Sequence, residues 1–337
     1  MHYITIKDVA KRLNLSVSTI SRGFNDKYDI KKETKDLILA TAKEMGYRPN
    51  PMAKKLIQKR SFNIGIVVPE FINSFFPEVI IGAQDIFFDK GYQVLITQSN
   101  ECFETELKNV KTLEDSMVDG LLISLCSESN NIDYYEKLID SGFPIVFFNR
   151  VNKEFKTDKV VFNDYKWAFF ATEHLIAQGY KNIIHLKGAD SVLLSNERSR
   201  GFIDALKKHR FEGTKEKIIP CGFSIEDGER VGREIIESGQ IPDAIFAAND
   251  PSAIGVMKTL QRNGYKIPKD IAIVGFSESK MATIVHPELT TVLQPTNEIG
   301  REAALMLIKQ IENKGSFIPQ TIELNGQLNI RGSSVKI

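Results

Sequence analysis

Residues 4–24 read ITIKDVAKRLNLSVSTISRGF, and this stretch decides the fold of the N-terminal part of the chain. Thr5, with Asp8 three residues later, predicts the start of one helix. Asn14 predicts its end, because asparagine tolerates the left-handed conformation that a tight turn needs. Ser16 predicts the start of a second helix. Two helices joined by so short a turn are typical of a helix-turn-helix unit.

Each of these helices, and a third expected from Lys32 to Met45, has one apolar face. The residues predicted to point inward are Ile6, Val9, Ala10 and Leu13 in the first helix, Ile20 and Phe24 in the second, and Leu37, Ile38, Thr41, Ala42 and Met45 in the third. The opposite face of the second helix consists of Val17, Ser18, Ser21 and Arg22. This small, polar face suits insertion into a major groove about 12 Å wide. A generic three-helix unit is the alternative that the pattern leaves open.

The charge distribution separates this region from the rest of the chain. Residues 1–60 contain 14 Lys and Arg against 6 Asp and Glu, whereas the remainder contains 30 against 37. A basic head on an acidic body suggests that the head alone meets a polyanion, although a basic segment can also be a solvated face. No apolar run approaches the roughly 18 residues of a membrane span, and we expect no signal peptide. Three widely spaced cysteines predict reduced thiols in a cytoplasmic protein.

From Phe62 onward, strand-like runs alternate with helical stretches. The predicted strands are Asn63–Val68, Gln93–Thr97, Gly120–Ser124 and Ile145–Phe148, followed by Asn182–Leu186, Ala244–Ala247 and Ile271–Val274. Repeated strand–helix units predict parallel sheets flanked by helices, and two such sets predict two lobes.

Three separate blocks of the sequence resemble the N-terminal signature of the lactose/galactose-repressor (LacI/GalR) family. They are Ile4-Thr5-Ile6-Lys7-Asp8-Val9-Ala10, Val17-Ser18-Thr19-Ile20-Ser21-Arg22 and Gly46-Tyr47-Arg48-Pro49-Asn50, in the expected order and spacing. The resemblance extends over the whole chain. It implies that Val17, Ser18 and Arg22 contact base edges. It also implies phosphate contacts for Thr5, Ser16, Thr19, Ser21 and Asn25, whose short polar side chains suit phosphate oxygens.

The segment after the third helix is predicted to be a hinge. Asn50, which the resemblance also places among the DNA contacts, is a good N-cap before Pro51. The following helix would have only about two turns and is marginal alone in water. The resemblance implies that two such helices pair in the minor groove, where Leu56 wedges between base pairs and Ala53 allows a close approach. A plain flexible linker is the alternative.

The resemblance implies an α/β fold for the body, of the two-lobed, Rossmann-like, periplasmic-binding-protein-like type I. The chain would cross between lobes near residues 160, 290 and 320. The expected domains are a head at 1–46, a hinge at 47–60 and an effector-binding and dimerisation body at 61–337. Lobe 1 would comprise 61–160 and 291–320, and lobe 2 would comprise 161–290 and 321–337.

Ligands of open α/β sheets bind beyond the carboxyl ends of the strands. The residues that the resemblance places in this cleft are Phe75, Phe76, Asn149, Phe162, Arg198, Phe223, Asn249, Ser277, Glu278 and Gln294. The family often has carboxylates where this chain has Asn149 and Ser277, and a glycine where it has Trp167. The two lost acceptors leave room for an anionic or modified sugar.

Two other classes of protein compete with a regulator. An enzyme is not expected, because no paired catalytic carboxylates, Gly-x-Ser-x-Gly motif, P-loop or metal-ligand spacing is present. A periplasmic transport receptor would not carry the basic head. The sequence therefore predicts a homodimeric repressor that binds palindromic double-stranded operator DNA and a small-molecule effector, a sugar or sugar derivative. It predicts no catalytic residues, metal ligands or cofactor.

Overall fold

A computed structural model of the chain describes residues 4–24, 30–47, 60–211, 217–313 and 318–336. The chain divides into two compact units, Met1–Phe62 and Asn63–Ile337, which we call the head and the body. Each unit contains a hydrophobic core of its own.

The described part of the head contains α1 (Ile6–Leu13), α2 (Val17–Phe24) and α3 (Lys32–Glu44). The predicted helix starts are confirmed, and α3 ends one residue before the predicted Met45, which is its C-cap. The carboxylate of Asp8 accepts hydrogen bonds from the Thr5 backbone N–H at 2.8 Å and from its hydroxyl at 2.7 Å. Asn14 has the left-handed φ of 52°. The Ser16 hydroxyl accepts a hydrogen bond from the Thr19 N–H at 3.1 Å, which caps α2.

The three helices of the head bury one small core. Its centre consists of Val9, Ala10, Ile20, Ile38 and Ala42, against which Ile6, Leu13, Phe24 and Met45 pack partly buried. The inward orientation predicted for Leu37 is wrong, since its side chain is 54% exposed. One residue turns an α-helix by about 100°, so the stripe centred on Ile38 leaves Leu37 outside it.

The body contains two six-stranded sheets. The first sheet comprises, in spatial order, β11 (Thr321–Leu324), β5 (Lys159–Phe162), β4 (Ile145–Phe148), β3 (Gly120–Ile123), β1 (Asn63–Val68) and β2 (Gln93–Gln98). The second comprises β12 (Gln327–Asn329), β10 (Thr290–Leu293), β9 (Ala272–Phe276), β8 (Ala244–Ala247), β6 (Ile183–Lys187) and β7 (Ile218–Pro220). All neighbours are parallel except β10 and β12. Each sheet with its helices forms one lobe, called the first and the second lobe.

Helices connect most of the parallel strands, as is usual for parallel crossovers. They are α4 (Phe75–Asp89), α5 (Phe103–Asp115), α6 (Ile132–Asp140), α7 (Asp164–Ala177), α8 (Leu193–Lys208), α9 (Ile225–Ser238), α10 (Asp250–Arg262) and α11 (Thr296–Glu312), with a 3₁₀ turn at Lys280–Thr283. The predicted α/β class and two-lobed body are therefore confirmed. Three predicted strands, β1, β4 and β8, have the predicted bounds, and the other four differ only near their ends.

The chain crosses between the lobes after β5, after β10 and after β11. These crossings lie a few residues after the predicted positions near 160, 290 and 320. Each of these strands completes its pairing before the chain leaves the sheet: β5 pairs with β4, β10 with β9 and β11 with β5. Residues 290–293 therefore belong to the second lobe and residues 321–324 to the first.

Helices α4 and α11 cross closely in the first lobe, and glycines make this crossing possible. A Cβ atom at Gly300 would overlap the carbonyl oxygen of Val79, and one at Gly82 would overlap that of Asn297. In both cases the obstacle is backbone, which a side-chain rotation cannot remove. Glycine is therefore required at these positions by space.

We predict that Gly300→Ala lowers the free energy of unfolding of the body by about 1–3 kcal/mol, the usual cost of overpacking. Helix propensity alone would predict the opposite change, because alanine is intrinsically the better helix former by about 1 kcal/mol. A loss of stability therefore points to the close packing of the two helices. Urea and thermal unfolding measure the effect, with Arg301→Ala at the exposed neighbouring position as the control. A Gly300→Ala protein as stable as this control would contradict the close-packing account.

A buried carboxylate, Asp250, ties the start of α10 to the neighbouring strands. Its Oδ1 accepts a hydrogen bond from the Thr291 hydroxyl at 2.5 Å, and its Oδ2 accepts one from the Ser279 N–H at 2.6 Å. The side chain is fully buried. Burial raises the pKa of Asp250 to about 7, and these hydrogen bonds only partly oppose the increase. The folded protein therefore holds a proton here that the unfolded chain releases at lower pH.

This raised pKa gives stability a defined pH dependence. The contribution of Asp250 is fully present below the ordinary carboxyl pKa and is lost as the pH rises through about 7. We predict that unfolding free energy falls with pH over this window by at most about 1.4 kcal/mol per pH unit relative to Asp250→Asn, which mimics the protonated acid. Thermal melts of both proteins from pH 5 to 8 measure the difference. Parallel profiles would show that Asp250 is ionised throughout.

Candidate functional site

A cavity of about 470 Å³ lies between the two lobes of the body. The carboxyl ends of β1, β4, β8, β9 and β10 all reach it, because parallel strands end at the same edge of their sheet. Eight of the ten predicted cleft residues line it: Phe75, Phe76, Asn149, Arg198, Phe223, Asn249, Ser277 and Gln294. Segments far apart in sequence thus meet at one site.

Aromatic side chains from both lobes line this cavity. Phe75 and Phe76 begin α4 in the first lobe, and their ring centroids lie 5.2 Å apart, edge to face. Phe223 precedes α9 in the second lobe and is half-buried. Rings of this kind can stack on the apolar C–H face of a flat ligand.

Arg198 reaches the cavity from α8 and is only 3% exposed. Its Nε and Nη2 donate to Asp164 Oδ1 at 2.8 and 2.7 Å, and its Nη1 donates to the carbonyl oxygen of Ala248. The guanidinium also lies 3.8 Å from the ring centroid of Phe276. Burial raises the pKa of Asp164 and lowers that of Arg198, while their mutual attraction opposes both changes. Several N–H groups of Arg198 therefore donate to protein acceptors, and fewer remain to donate to a ligand.

Arg150 also lines the cavity, although it is not among the residues predicted for the cleft. Its Nη1 donates to both carboxylate oxygens of Glu101, at 2.7 and 2.9 Å. The guanidinium lies 5.1 Å from the ring centroid of Phe223 and 5.9 Å from that of Phe76. A first-lobe cation thus lies over a second-lobe ring. Its place directly after Asn149, at the end of β4, was the one signal in the sequence that could have identified it.

Glu101 is held in its ionised form by its neighbours. It accepts hydrogen bonds from the Ser127 N–H at 2.7 Å and from the Ser127 hydroxyl at 2.8 Å, in addition to those from Arg150. Burial alone would raise the pKa of Glu101, but Arg150 and Ser127 outweigh it, so this pKa lies below its ordinary value. The Arg150–Glu101 pair is therefore a fixed, charge-balanced part of the cavity wall.

Amide side chains supply the neutral polar groups of the site. Asn249 caps α10 by accepting from the Ser252 N–H at 3.0 Å, and its Nδ2 donates to the Phe223 carbonyl at 2.7 Å. Gln294 is 2% exposed and accepts a hydrogen bond from the Ser277 hydroxyl at 2.8 Å. The Gln294 Nε2 has no hydrogen-bond partner among the described residues. A buried donor without a partner indicates a place where a ligand acceptor fits.

Two predicted cleft residues do not line the cavity. Phe162 is 5% exposed and packs in the second-lobe core, 5.9 Å from the ring of Phe276 and directly against Gly326. It fills the crossing between the lobes. Glu278 turns instead to Asn329 and Arg331, with which it forms a hydrogen bond and an ion pair.

Trp167, the residue found where the family has a glycine, also lies outside the cavity lining and packs half-buried against the second-lobe core. Among the described ranges, no group of three or more His, Cys, Asp or Glu residues is arranged to hold a metal ion. None of the helices in these ranges has the length and apolar character of a membrane span.

The head presents a second candidate site on α2. Val17 is 41% exposed, Ser18 and Arg22 are exposed, and Ser21 is half-buried. Near the start of the same helix, the Ser16 hydroxyl lies 2.7 Å from that of Ser18 and 2.8 Å from that of Thr19. Thr5 is exposed at the start of α1. The other predicted DNA contacts, Asn25, Asn50, Ala53 and Leu56, lie outside the described residues.

Comparison with known proteins agrees with this architecture. Residues 61–327 match the family of periplasmic binding proteins and sugar-binding domains of the LacI family, and residues 5–50 match the bacterial regulatory proteins of the lacI family. The ribose operon repressor of Halalkalibacterium halodurans is 34% identical over 312 residues, which cover 92% of this chain and 91% of that protein.

Comparison with solved structures shows the same fold. The Lac repressor dimer bound to operator and an anti-inducer superimposes with a TM-score of 0.84 at 22% identity, covering 99% of this chain and 100% of that one. The transcriptional regulator CelR, in complex with cellobiose, gives a TM-score of 0.75 at 25% identity, covering 98% and 99%. With its helix-turn-helix head and two-lobed body, the chain belongs to the LacI family of bacterial regulatory proteins.

Proposed function

We propose that this protein represses transcription by binding a palindromic operator as a homodimer, and that a sugar or sugar derivative in the inter-lobe cavity controls its affinity for DNA. The observation that carries the proposal is the presence, in one LacI-family chain, of an exposed recognition face on α2 and a cavity lined by aromatic rings and hydrogen-bonding groups. Such a regulator acts by binding alone, in the cytoplasm, and needs no catalytic residue.

The exposed face of α2 supports the DNA-binding part of the proposal. Val17 and Ser18 are small enough for the helix to lie deep in a major groove, and Arg22 can donate two hydrogen bonds to a guanine edge. Ser16 and Thr19 lie near the helix N-terminus, where hydroxyl and backbone donors suit phosphate oxygens. The excess of basic residues in positions 1–60 adds non-specific attraction.

Exposed apolar residues on the first lobe support a homodimer. Ile81 and Phe88 on α4 are each 53% exposed, and Leu95 and Ile96 on the edge strand β2 are 37% and 39% exposed. An edge strand with apolar side chains is usually covered in the functional assembly. A twofold dimer would match a palindromic operator. The Lac repressor structure described above is that of a dimer bound to operator.

The cavity supports control by a carbohydrate. Its rings, amides and fixed guanidinium groups combine apolar stacking surfaces with directional hydrogen bonds, which is the combination that flat polyols need. One relative, CelR, is described in complex with cellobiose, and another is a repressor of a ribose operon. A ligand that binds between the lobes can bias their relative orientation, and the coupling must act reciprocally on effector and operator.

We predict that Arg22→Ala weakens binding to an operator recovered by selection from random duplexes by about 1–3 kcal/mol, because a bidentate base contact is lost. Binding to a scrambled duplex should change little. Fluorescence anisotropy at fixed salt measures both affinities.

Lys43→Ala is the matched control, since this exposed cation lies in the last turn of α3. It should leave the ratio of operator to scrambled affinity unchanged. Equal losses on both duplexes for Arg22→Ala would mean that Arg22 contacts the backbone and reads no base.

A further inference from the structure

We propose that the effector carries a positive charge, and that the cavity takes an amine-bearing polyol, such as an amino sugar, whose ammonium group lies between Glu70 and Glu226. This inference rests on the proposed role of the cavity as the effector site. It concerns the chemical class of the ligand, for which the two lost acceptors left room for an anionic or modified sugar.

The cations of the cavity are already neutralised by protein carboxylates. Arg150 is paired with Glu101 at 2.7 Å, and Arg198 is paired with Asp164 at 2.7 Å. Both arginines are nearly buried, at 8% and 3% exposure, so their charges are balanced inside a region of low dielectric. Arg150 and Arg198 are the only cations among the described residues that line the cavity. A ligand anion would therefore meet no uncompensated positive charge.

The carboxylates of the cavity, in contrast, are in excess. Glu70 follows β1 in the first lobe and accepts hydrogen bonds from the Asn73 N–H at 3.0 Å and from the Asn73 Nδ2 at 2.7 Å. Glu226 lies in the first turn of α9 in the second lobe. Neither carboxylate has a cation partner among the described residues, whereas Asp227, also in the lining, lies 3.9 Å from Arg230. Within the described part of the chain, two carboxylates without a paired cation thus line one cavity from opposite lobes.

Glu70 is half-buried and Glu226 is exposed, so both carboxylates are open to a ligand in the cavity. An ammonium group between them would supply the missing positive charge, and it carries three N–H donors for carboxylate oxygens. A neutral polyol would leave the two negative charges uncompensated, and a phosphorylated or carboxylated one would add to the negative charge. Because Glu70 and Glu226 belong to different lobes, a cationic ligand would also draw the lobes together.

An independent feature indicates that the rest of the ligand is a polyol. Gln294 is 2% exposed, lines the same cavity, and its Nε2 has no partner among the described residues. This donor requires an oxygen acceptor, which a sugar hydroxyl supplies. The rings of Phe75 and Phe223 offer apolar surface for the C–H face of the same molecule. Hydroxyl, C–H face and ammonium together describe an amino sugar.

Calorimetric titration of the full-length protein with matched sugars tests this inference. The probes are glucosamine, galactosamine and mannosamine, each compared with its N-acetyl derivative, its parent hexose and the hexose 6-phosphate. At least one amine should bind about tenfold or more tightly than its three counterparts. A neutral or phosphorylated member that binds as tightly as the amine would overturn the inference, as would the absence of binding by all three amines.

Charge-neutralising variants make the test specific to the two carboxylates. In Glu226→Gln and Glu70→Gln the preference for the amine over the parent hexose should fall to about threefold or less. Glu237→Gln, an exposed position at the other end of α9, should retain the wild-type preference. An unchanged preference in both cavity variants would also overturn the inference. If a neutral sugar binds and alters operator affinity, the proposed function stands while this inference fails.

Discussion

The three crossings of the chain between two mostly parallel sheets are the constraint on which the rest of the body depends. They place both sheets with the carboxyl ends of their strands toward one cavity, so loops separated by more than two hundred residues in sequence line a single site. The crossings themselves are packed solid, since Phe162 fills the space against Gly326 and Phe276. A rearrangement of the lobes must therefore turn about these crossings without separating them.

The features that could be predicted from the sequence are those that depend on residues close together in the chain. The caps at Thr5 and Ser16 and the apolar run of β1 are decided by residues that are neighbours in the chain, and the structure agrees with each. Eight of the ten residues that the family resemblance placed in the cleft line the cavity, because the ends of equivalent strands carry them. Their contact with an effector stays a prediction. The DNA contacts assigned to the same resemblance stay predictions.

The features that could not be predicted depend on distant partners. Glu101 and Arg150 are 49 residues apart, and no periodic pattern relates them. Glu278 follows Ser277 directly, yet an ion pair with Arg331 turns its side chain away from the cavity. Phe162 is an aromatic residue of the kind that stacks on ligands, but its side chain is buried and fills space where the chain crosses between the lobes. In each case tertiary packing selected one of several roles that the residue type allows.

The charged residues of the cavity differ in whether the protein itself supplies an opposite charge beside them. Deep in the site, the guanidinium groups of Arg150 and Arg198 would be costly to bury alone, and each has a carboxylate beside it. Such fixed pairs hold planar donors in place and contribute geometry more than stability. Glu70 and Glu226, in contrast, have no cation partner among the described residues and lie in the cavity lining, where a ligand can provide the compensating charge.

The central claim is that a ligand bound between the lobes contacts both of them at the strand ends. Amide hydrogen exchange measured with and without the sugar that raises the melting temperature most tests this directly. The account predicts slower exchange at 70–76 and 149–150 in the first lobe together with 222–227 and 277–279 in the second. Protection confined to one lobe, or to a surface away from the cavity, would contradict it.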